Sequence, residues 1–222
     1  MSFRSAAIFA VGLLPAGTIK NLVLRRLGWT IGRDVRFGPC LVVNVDQVSL
    51  GDGTIVGCFN VFRDLSRLEL GQCVRVGQWN WVTASSHMRA AGARGTFAMG
   101  RHTCLASRHY LDCTGGIRVG AFSSIAGERS TFLTHGLSWV TSEQTYDSIE
   151  IGDYCILSSN LNVAAGTVVG DRVVVAMGST IAGELSEPGL YVQPRAELVK
   201  HELDGKYFDR LVGDIVGVRP RR

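Results

Sequence analysis

The sequence predicts an all-β protein built as a parallel β-helix, and two regularities in it predict that fold. Apolar residues recur at every sixth position over long stretches, and an apolar residue followed by glycine recurs once per turn of the expected coil. The chain has 222 residues with 27 Gly and only 5 Pro, which indicates many tight turns. A chain of this length suits one domain, so we expect a single repetitive core.

The six-residue rhythm is clearest in the last third of the repeats. The apolar residues spaced six apart there are Ile151, Leu157, Val163, Val169, Val175 and Ile181. An amphipathic helix predicts apolar spacings of three and four, and an ordinary strand predicts a spacing of two. A spacing of six instead predicts a short flat strand followed by a corner. Three such sides make one turn, and the apolar residues stack inside a triangular prism.

The glycine pattern predicts the number of turns and the place of two insertions. Apolar–glycine pairs begin at Ile31, Leu50, Leu70, Met99, Val119, Ile151 and Val169. Successive intervals are 19, 20, 29, 20, 32 and 18 residues, which predicts about seven turns with one inserted loop in each long interval. The loops fall near 85–97 and 133–148. Loops on a rigid solenoid usually carry binding and catalytic groups.

The two ends of the prism are expected to be covered, because an open end exposes unpaired backbone groups. We predict an N-terminal helical cap over residues 1–30, a β-helix domain over 31–196, and a C-terminal helix with a basic tail over 197–222. The apolar run 6–14 is too short to span a bilayer, and a basic amphipathic stretch follows it. We therefore expect at most peripheral membrane contact, with a cleaved signal peptide as the alternative interpretation.

Charge and cysteine content exclude some classes of function. The net charge is +4 with a sequence pI near 8.8, but no basic stripe interleaved with aromatic residues is present, so we expect no nucleic-acid partner. The six cysteines contain no CxxC pair, which removes the strongest zinc and redox pattern. Their wide spacing favours reduced thiols and a cytoplasmic protein.

Several segments carry a resemblance to a known family. They are Ile151-Gly152-Asp153-Tyr154-Cys155, Ser158-Ser159-Asn160, Ala176-Met177-Gly178-Ser179, Tyr191-Val192-Gln193-Pro194-Arg195, and the stretch 107–116 together with Thr134-His135. From about Ile31 to Lys200 the chain resembles the hexapeptide-repeat acyltransferases, in particular the sugar and polysaccharide O-acetyltransferases. The resemblance implies a left-handed β-helix and a homotrimer. It also implies acetyl-CoA as acyl donor, held between subunits beside a histidine, and a sugar-type acceptor.

Acyl transfer needs a general base for the acceptor and donors for the oxyanion. Histidine, whose unperturbed pKa is about 6.5, suits the role of base near neutral pH. His135 begins the larger inserted loop, where the family has its base, and we predict that it is the general base. His109 is the second catalytic candidate. It could meet His135 across a subunit interface, or be a structural residue bonded to Asp112 or to backbone.

The remaining candidates concern binding. The resemblance implies that late turns contact the coenzyme, through Ser159, Asn160, Gly178, Ser179, Arg195 and Lys200. The larger loop and the turn before it supply candidates for the acceptor, which are Trp139, Gln144, Tyr146 and Asp112. Alternatives stay open for these sets. Corner residues can be required by the fold alone, and Asp112 can orient a histidine instead. Trp139 and Tyr146 can contact adenine or pack against a neighbouring subunit.

These observations predict an acyl-CoA-dependent acyltransferase acting on a sugar, in polysaccharide or glycan synthesis. A metal-dependent β-helix carbonic anhydrase is one alternative, but it needs three metal-bound histidines. The closest histidine pair, His102 and His109, is seven residues apart, and we expect no metal. A non-catalytic scaffold is the other alternative, although a scaffold does not need two loops that interrupt its period.

Overall fold

Short strands follow one another in threes, and each set of three forms one rung of a prism. The computed structural model describes residues 3–194, 196–199, 201, 208–209 and 211. The strands of the first four rungs are β1 (Thr30–Ile31), β2 (Arg36–Phe37), β3 (Leu41–Val43), β4 (Gln47–Leu50), β5 (Ile55–Val56), β6 (Val61–Arg63), β7 (Arg67–Leu70), β8 (Arg75–Val76), β9 (Trp81–Thr83), β10 (Thr96–Met99), β11 (Cys104–Ser107) and β12 (Tyr110–Asp112).

The later strands continue the pattern, with a hairpin inserted after the fifth rung. They are β13 (Ile117–Val119), β14 (Ser124–Glu128), β15 (Thr131–Leu133), the hairpin strands β16 (His135–Leu137) and β17 (Gln144–Tyr146), then β18 (Ile149–Ile151), β19 (Ile156–Leu157), β20 (Asn162–Val163), β21 (Val168–Val169), β22 (Val173–Val175), β23 (Thr180–Ile181), β24 (Glu184–Leu185) and β25 (Gly189–Tyr191).

Strands at the same place in successive rungs pair in parallel and form three long sheets. Within the described residues the first sheet has the order β1-β4-β7-β10-β13-β18-β21-β24, the second β2-β5-β8-β11-β14-β19-β22-β25, and the third β3-β6-β9-β12-β15-β20-β23. The fold is a parallel β-helix, as the six-residue rhythm predicts, and it is of the left-handed kind that the resemblance implies. The described part of the chain makes seven complete rungs, and β24 and β25 begin an eighth.

The six-residue rhythm fills the inside of the prism. Residues spaced six apart point inward from the strands of the rungs, so that Leu157 is fully buried while its neighbour Ile156 is 46% exposed. Inward residues of successive rungs pack across the prism, as Phe37 of β2 and Phe62 of β6 do with ring centroids 6.2 Å apart. Each buried Leu, Ile or Phe side chain contributes about 1.5–3 kcal/mol through removal of its apolar surface from water.

The N-terminal end of the prism is covered by two helices, α1 (Phe3–Gly12) and α2 (Thr18–Arg26). Leu24 of α2 is fully buried against the first rung, and Trp29 packs edge-on against Phe37 at 5.3 Å. The helix expected at the other end, over 197–222, falls mostly outside the described residues. The domain boundaries therefore stay a prediction.

The two long intervals of the repeat hold different structures. The first insertion contains a short helix, α3 (Ser86–Ala90), which Ser85 caps by accepting a hydrogen bond from the Met88 amide. The second insertion is the antiparallel hairpin of β16 and β17. Both insertions leave the prism after a strand of the third sheet, so they project from the same corner.

Candidate active site

The hairpin of the second insertion starts directly after β15 and places His135 at its base. His135 pairs with Tyr146, and Leu137 pairs with Gln144, across the hairpin. Asp147 closes the base, because its amide donates to the carbonyl of the buried Thr134 at 2.9 Å. His135 is therefore anchored to the prism and does not lie at a loop tip.

His135 is bonded to Asp112, which ends the third-sheet strand of the preceding rung. Nδ1 of His135 lies 2.6 Å from Oδ2 of Asp112. An ionised carboxylate only accepts hydrogen bonds, so in the neutral ring the proton is on Nδ1 and the lone pair is on Nε2. The His135 side chain is 36% exposed, whereas that of Asp112 is 3% exposed. The imidazole thus keeps one edge in a buried contact and one edge accessible.

The carboxylate of Asp112 is fixed from several sides. Oδ1 accepts from the Thr114 hydroxyl at 2.6 Å, and Oδ2 accepts from the Thr134 amide at 2.9 Å and the His135 amide at 3.1 Å. Burial works to raise the pKa of Asp112. The hydrogen bonds from Thr114 and His135, the charge of His135 and the Thr134 amide outweigh it and hold the pKa below its usual value. Asp112 is therefore a buried carboxylate that stays ionised.

Strand pairing brings these groups together. β12 pairs with β15 so that Asp112 lies beside Leu133, and the residues that follow each strand then stack on one another. The Gly115 amide donates to the Thr134 hydroxyl at 2.8 Å. A Cβ atom at Gly115 would overlap the carbonyl oxygen of Asp147, so this corner requires glycine for close approach.

His109 has a different environment, inside the corner between the second and third sheets. It belongs to a buried column in which each rung bonds to the next. The backbone amide of Asn80 donates to Asn60 Oδ1 at 2.9 Å. One rung later the backbone amide of His109 donates to Asn80 Oδ1 at 2.9 Å. The backbone amide of Ser130 then donates to His109 Nδ1 at 3.1 Å. All four residues are at most 1% exposed. These contacts are those of a structural residue.

Burial lowers the pKa of His109 to about 4, against smaller opposing effects of the Gly127 backbone and the Glu128 charge. Its Nε2 is buried, and no described atom meets hydrogen-bond geometry there, although the Gly127 backbone lies close enough to favour protonation slightly. The ring is therefore neutral near pH 7. His109 is 1% exposed in the protomer, and its contact with His135 across a subunit interface stays a prediction.

The residues expected to bind coenzyme lie at the corner between the second and third sheets. Ser159 and Asn160 precede β20, and Gly178 and Ser179 precede β23 one rung later. The two pairs stack, since the Gly178 amide donates to the Ser159 carbonyl at 3.0 Å. His135 follows a strand of the third sheet, so it lies at a different corner, between the third and first sheets. Arg195 and Lys200 lie outside the described residues.

The three other residues expected to bind acceptor are on the hairpin. Tyr146 is the cross-strand neighbour of His135 and is 44% exposed. Gln144 is exposed two residues before it, and Trp139, near the hairpin tip, is 91% exposed. The fourth, Asp112, is buried and bonded to His135, so its contacts are those of a group that orients the histidine.

Thr114 and Thr134 were not among the residues predicted from the sequence, although both donate hydrogen bonds to Asp112. A signal was present, because Asp112 follows the inward residue Leu111 as Leu133 follows the inward residue Phe132. Aligning the rungs on those inward residues places 112–114 beside 133–135. Steps of six residues from Val119 place the inward residue of this strand at position 131, whereas Phe132 occupies that place in the structure. The difference arises because β14 carries one extra residue at a register shift.

The described residues contain no group of three or more His, Cys, Asp or Glu side chains placed to hold a metal ion. None of the helices in the described ranges is long and apolar enough to cross a membrane.

Fold and site together define a parallel β-helix built on a six-residue repeat, with a histidine–aspartate pair at the base of its second insertion. No protein-family model matches the chain, and no curated protein matches it. Among solved structures, it is similar to a polysialic acid O-acetyltransferase, with 14% identity, a TM-score of 0.44 and coverage of 82% of this chain and 95% of that one.

Two further solved structures are similar to the chain. One is a polySia-specific acetyltransferase, with 14% identity, a TM-score of 0.35 and coverage of 82% of this chain and 90% of that one. The other is the UDP-N-acetylglucosamine acyltransferase of Arabidopsis, with 15% identity, a TM-score of 0.37 and coverage of 83% and 74%. The fold described above rests on the strand pairing of this chain.

Proposed function

We propose that the protein is an acyltransferase that moves an acetyl or similar acyl group from coenzyme A to a hydroxyl or amine of a sugar-type acceptor. The observation that carries the proposal is the pair of His135 and Asp112. Their 2.6 Å contact occupies Nδ1 and leaves Nε2 as the accessible, proton-accepting nitrogen. A pair of this kind is suited to general-base catalysis on an acceptor proton.

In the proposed reaction, Nε2 of His135 takes the proton from the acceptor as its oxygen or nitrogen attacks the thioester carbon. The carbon–sulfur bond then breaks, and the imidazolium returns the proton to the leaving thiolate. The products are the acylated acceptor and the free thiol of coenzyme A. Asp112 stays ionised throughout. It orients the ring and stabilises the positive charge that forms on it.

We also propose that the working unit is a homotrimer with coenzyme A between subunits. The stacked pairs Ser159–Asn160 and Gly178–Ser179 lie where strands of the third sheet begin, whereas His135 lies after a strand of that sheet ends. One protomer keeps these groups at different corners, so a site shared between neighbours is the arrangement that unites them. Arg195 and Lys200 are proposed contacts for the phosphates of the coenzyme.

The acceptor is proposed to bind along the exposed face of the hairpin. Tyr146 lies beside His135, Gln144 offers an amide, and Trp139 offers a large exposed ring. Aromatic rings and amides of this kind are suited to the apolar faces and hydroxyl groups of a sugar. A polysaccharide or glycan precursor is therefore the proposed acceptor class.

We propose that the protein works in the cytoplasm, at the inner face of the membrane. All six cysteines are unpaired, which supports a reducing compartment. Helices α1 and α2 expose Phe3, Ile19 and Leu22 at 88%, 77% and 47%. Apolar side chains on a basic terminal segment favour peripheral contact with an anionic membrane surface.

A thiol-release assay with acetyl-CoA and a panel of sugar acceptors tests the activity. We expect acceptor-dependent release of free thiol, and we expect His135→Ala to lower turnover by about 10²–10⁴-fold with the fold unchanged. His102→Ala is the matched control, because His102 is exposed at another corner of the prism. Absence of thiol release across the panel would favour the scaffold alternative, and near-normal turnover of His135→Ala would remove it from the mechanism.

A further inference from the structure

An open pocket of about 970 Å³ lies at the N-terminal end of the prism, away from His135. Its walls are the connection between α1 and α2 and the first three rungs of the second sheet. Four arginines line it, Arg25, Arg33, Arg36 and Arg75, against one lining carboxylate, Asp34. His135 is on the hairpin between the fifth and sixth rungs. The pocket is therefore separate from the proposed acyl-transfer site.

Two of the arginines have their charge uncompensated. Arg36 of β2 and Arg75 of β8 are exposed at equivalent positions of the second sheet, with Ile55 of β5 between them. Neither guanidinium has a carboxylate partner among the described residues. Strands are roughly 4.8 Å apart, so the two backbones are about 10 Å apart, a distance at which two arginine side chains can reach one anion.

The other two arginines are partly engaged. Arg25 donates to the carbonyl oxygens of Ile31, at 2.9 Å, and Gly32, at 2.8 Å, which are neutral acceptors that leave its positive charge in place. Arg33 is paired with Asp52 at 2.8 Å. The pocket thus has three arginines without a carboxylate partner, and an anionic ligand would complete its charge balance.

Helix α2 begins at the same pocket. Its nine residues start after Gly17, and no side chain caps its first turn. The unpaired amides and the helix dipole at such an end favour a bound anion. Asn21, also in the lining, is 7% exposed, and its Oδ1 has no hydrogen-bond partner among the described residues. This oxygen is sealed from solvent, so the arginines and the first amides of α2 are the groups that a bound anion would contact.

The pocket wall is held in place before any ligand binds. The buried Lys20 donates to the carbonyl oxygens of Gly12 at 2.8 Å, Leu14 at 2.7 Å and Gly38 at 2.8 Å. Asn21 Nδ2 donates to the Val35 carbonyl at 2.8 Å. These bonds fix the α1–α2 connection to the first rung, so little ordering is required on binding.

We propose that this pocket binds the phosphate group of a phosphate ester. Phosphate is the anion that arginine forks and a helix N-terminus together recognise well. The ester can be a lipid head group or a free phosphorylated sugar. The exposed Leu14 and Ile19 beside the pocket, at 49% and 77%, favour the lipid source.

The test uses the full chain with two kinds of probe. Glycerol 3-phosphate and inorganic phosphate are titrated by calorimetry. Vesicles of phosphatidylcholine, with and without phosphatidic acid, are used in co-sedimentation. We expect both soluble phosphates to bind. Arg36→Gln combined with Arg75→Gln should weaken that binding at least about 10-fold, because each lost arginine removes charge-assisted hydrogen bonds.

The matched control is Arg67→Gln combined with Arg118→Gln, which removes the same charge from the first sheet, where each arginine has a glutamate partner. Equal weakening by both double variants, or no phosphate binding by the wild type, would overturn the proposal. Acyl transfer should be unchanged in both double variants, so this outcome is independent of the proposed activity. The single variants Arg36→Gln and Arg75→Gln, with smaller losses expected, replace the double variant if it fails to fold.

The two sources give different results. If the ligand is a lipid head group, phosphatidic acid increases sedimentation with vesicles, and Ile19→Ser reduces it while leaving glycerol 3-phosphate binding intact. If the ligand is a free ester, soluble phosphate binds and phosphatidic acid has no added effect.

Discussion

His109 and His135 flank strands of the same sheet on successive rungs, yet their surroundings give them opposite properties. His109 comes just before β12, and its ring fills a buried column between Asn80 and Ser130. His135 comes two residues after β15, where an insertion leaves the prism, and its ring is bonded to Asp112 on one edge only. A residue that enters a strand is packed by the next rung, whereas one that leaves for an insertion keeps an accessible edge.

After His135 itself, the largest effect is expected at Asp112, whose carboxylate is bonded to that histidine. Asp112→Asn keeps the shape of the side chain but removes the charge that stabilises the imidazolium, and we expect kcat to fall by about 10²-fold or more with KM nearly unchanged. Steady-state kinetics measures this. The matched control is Asp153→Asn, at an exposed corner where Asp153 accepts from the Ala121 amide at 2.6 Å. Equal losses in both variants would contradict the orienting role of Asp112.

The buried histidine should affect stability instead. His109→Ala leaves a cavity and an unpaired Ser130 amide, which together are expected to cost about 2–4 kcal/mol of unfolding free energy. His109→Asn should cost less, because asparagine already occupies the equivalent place at Asn60 and Asn80. Denaturant unfolding compares the two variants, and turnover per folded molecule should be normal in both. A large loss of turnover in His109→Asn would return His109 to the mechanism.

His109 also makes the free energy of unfolding depend on pH. The pKa of His109 is about 4 in the folded protein, below the ordinary histidine value of 6.5. Between these two pH values the unfolded chain therefore binds a proton that the folded chain does not. Stability should therefore fall as the pH drops from 6.5 to 4, by up to about 3 kcal/mol. Thermal unfolding across this range should show a shallower decline in His109→Asn. Parallel declines in the two proteins would assign the acid sensitivity to other groups.

Much of the fold follows from the residues alone. The six-residue spacing of apolar residues from Ile151 to Ile181 predicted the rungs. The apolar–glycine intervals predicted two insertions at the places where α3 and the hairpin are found. His135 is the predicted base because it begins the larger insertion, where the resemblance implies the base. Its partner was harder to predict, since Asp112 is 23 residues away in sequence and the extra residue in β14 shifts the register between their rungs.

The sequence by itself determined the periodic core, because each side of a rung repeats the same local requirement. That requirement is an apolar residue that points inward, followed by a corner. Only the tertiary structure decided that His109 is buried and that His135 is accessible. That choice depends on contacts between rungs, on how β12 and β15 align and on where the hairpin leaves the corner. Such contacts join residues far apart in the chain, so no local pattern contains them.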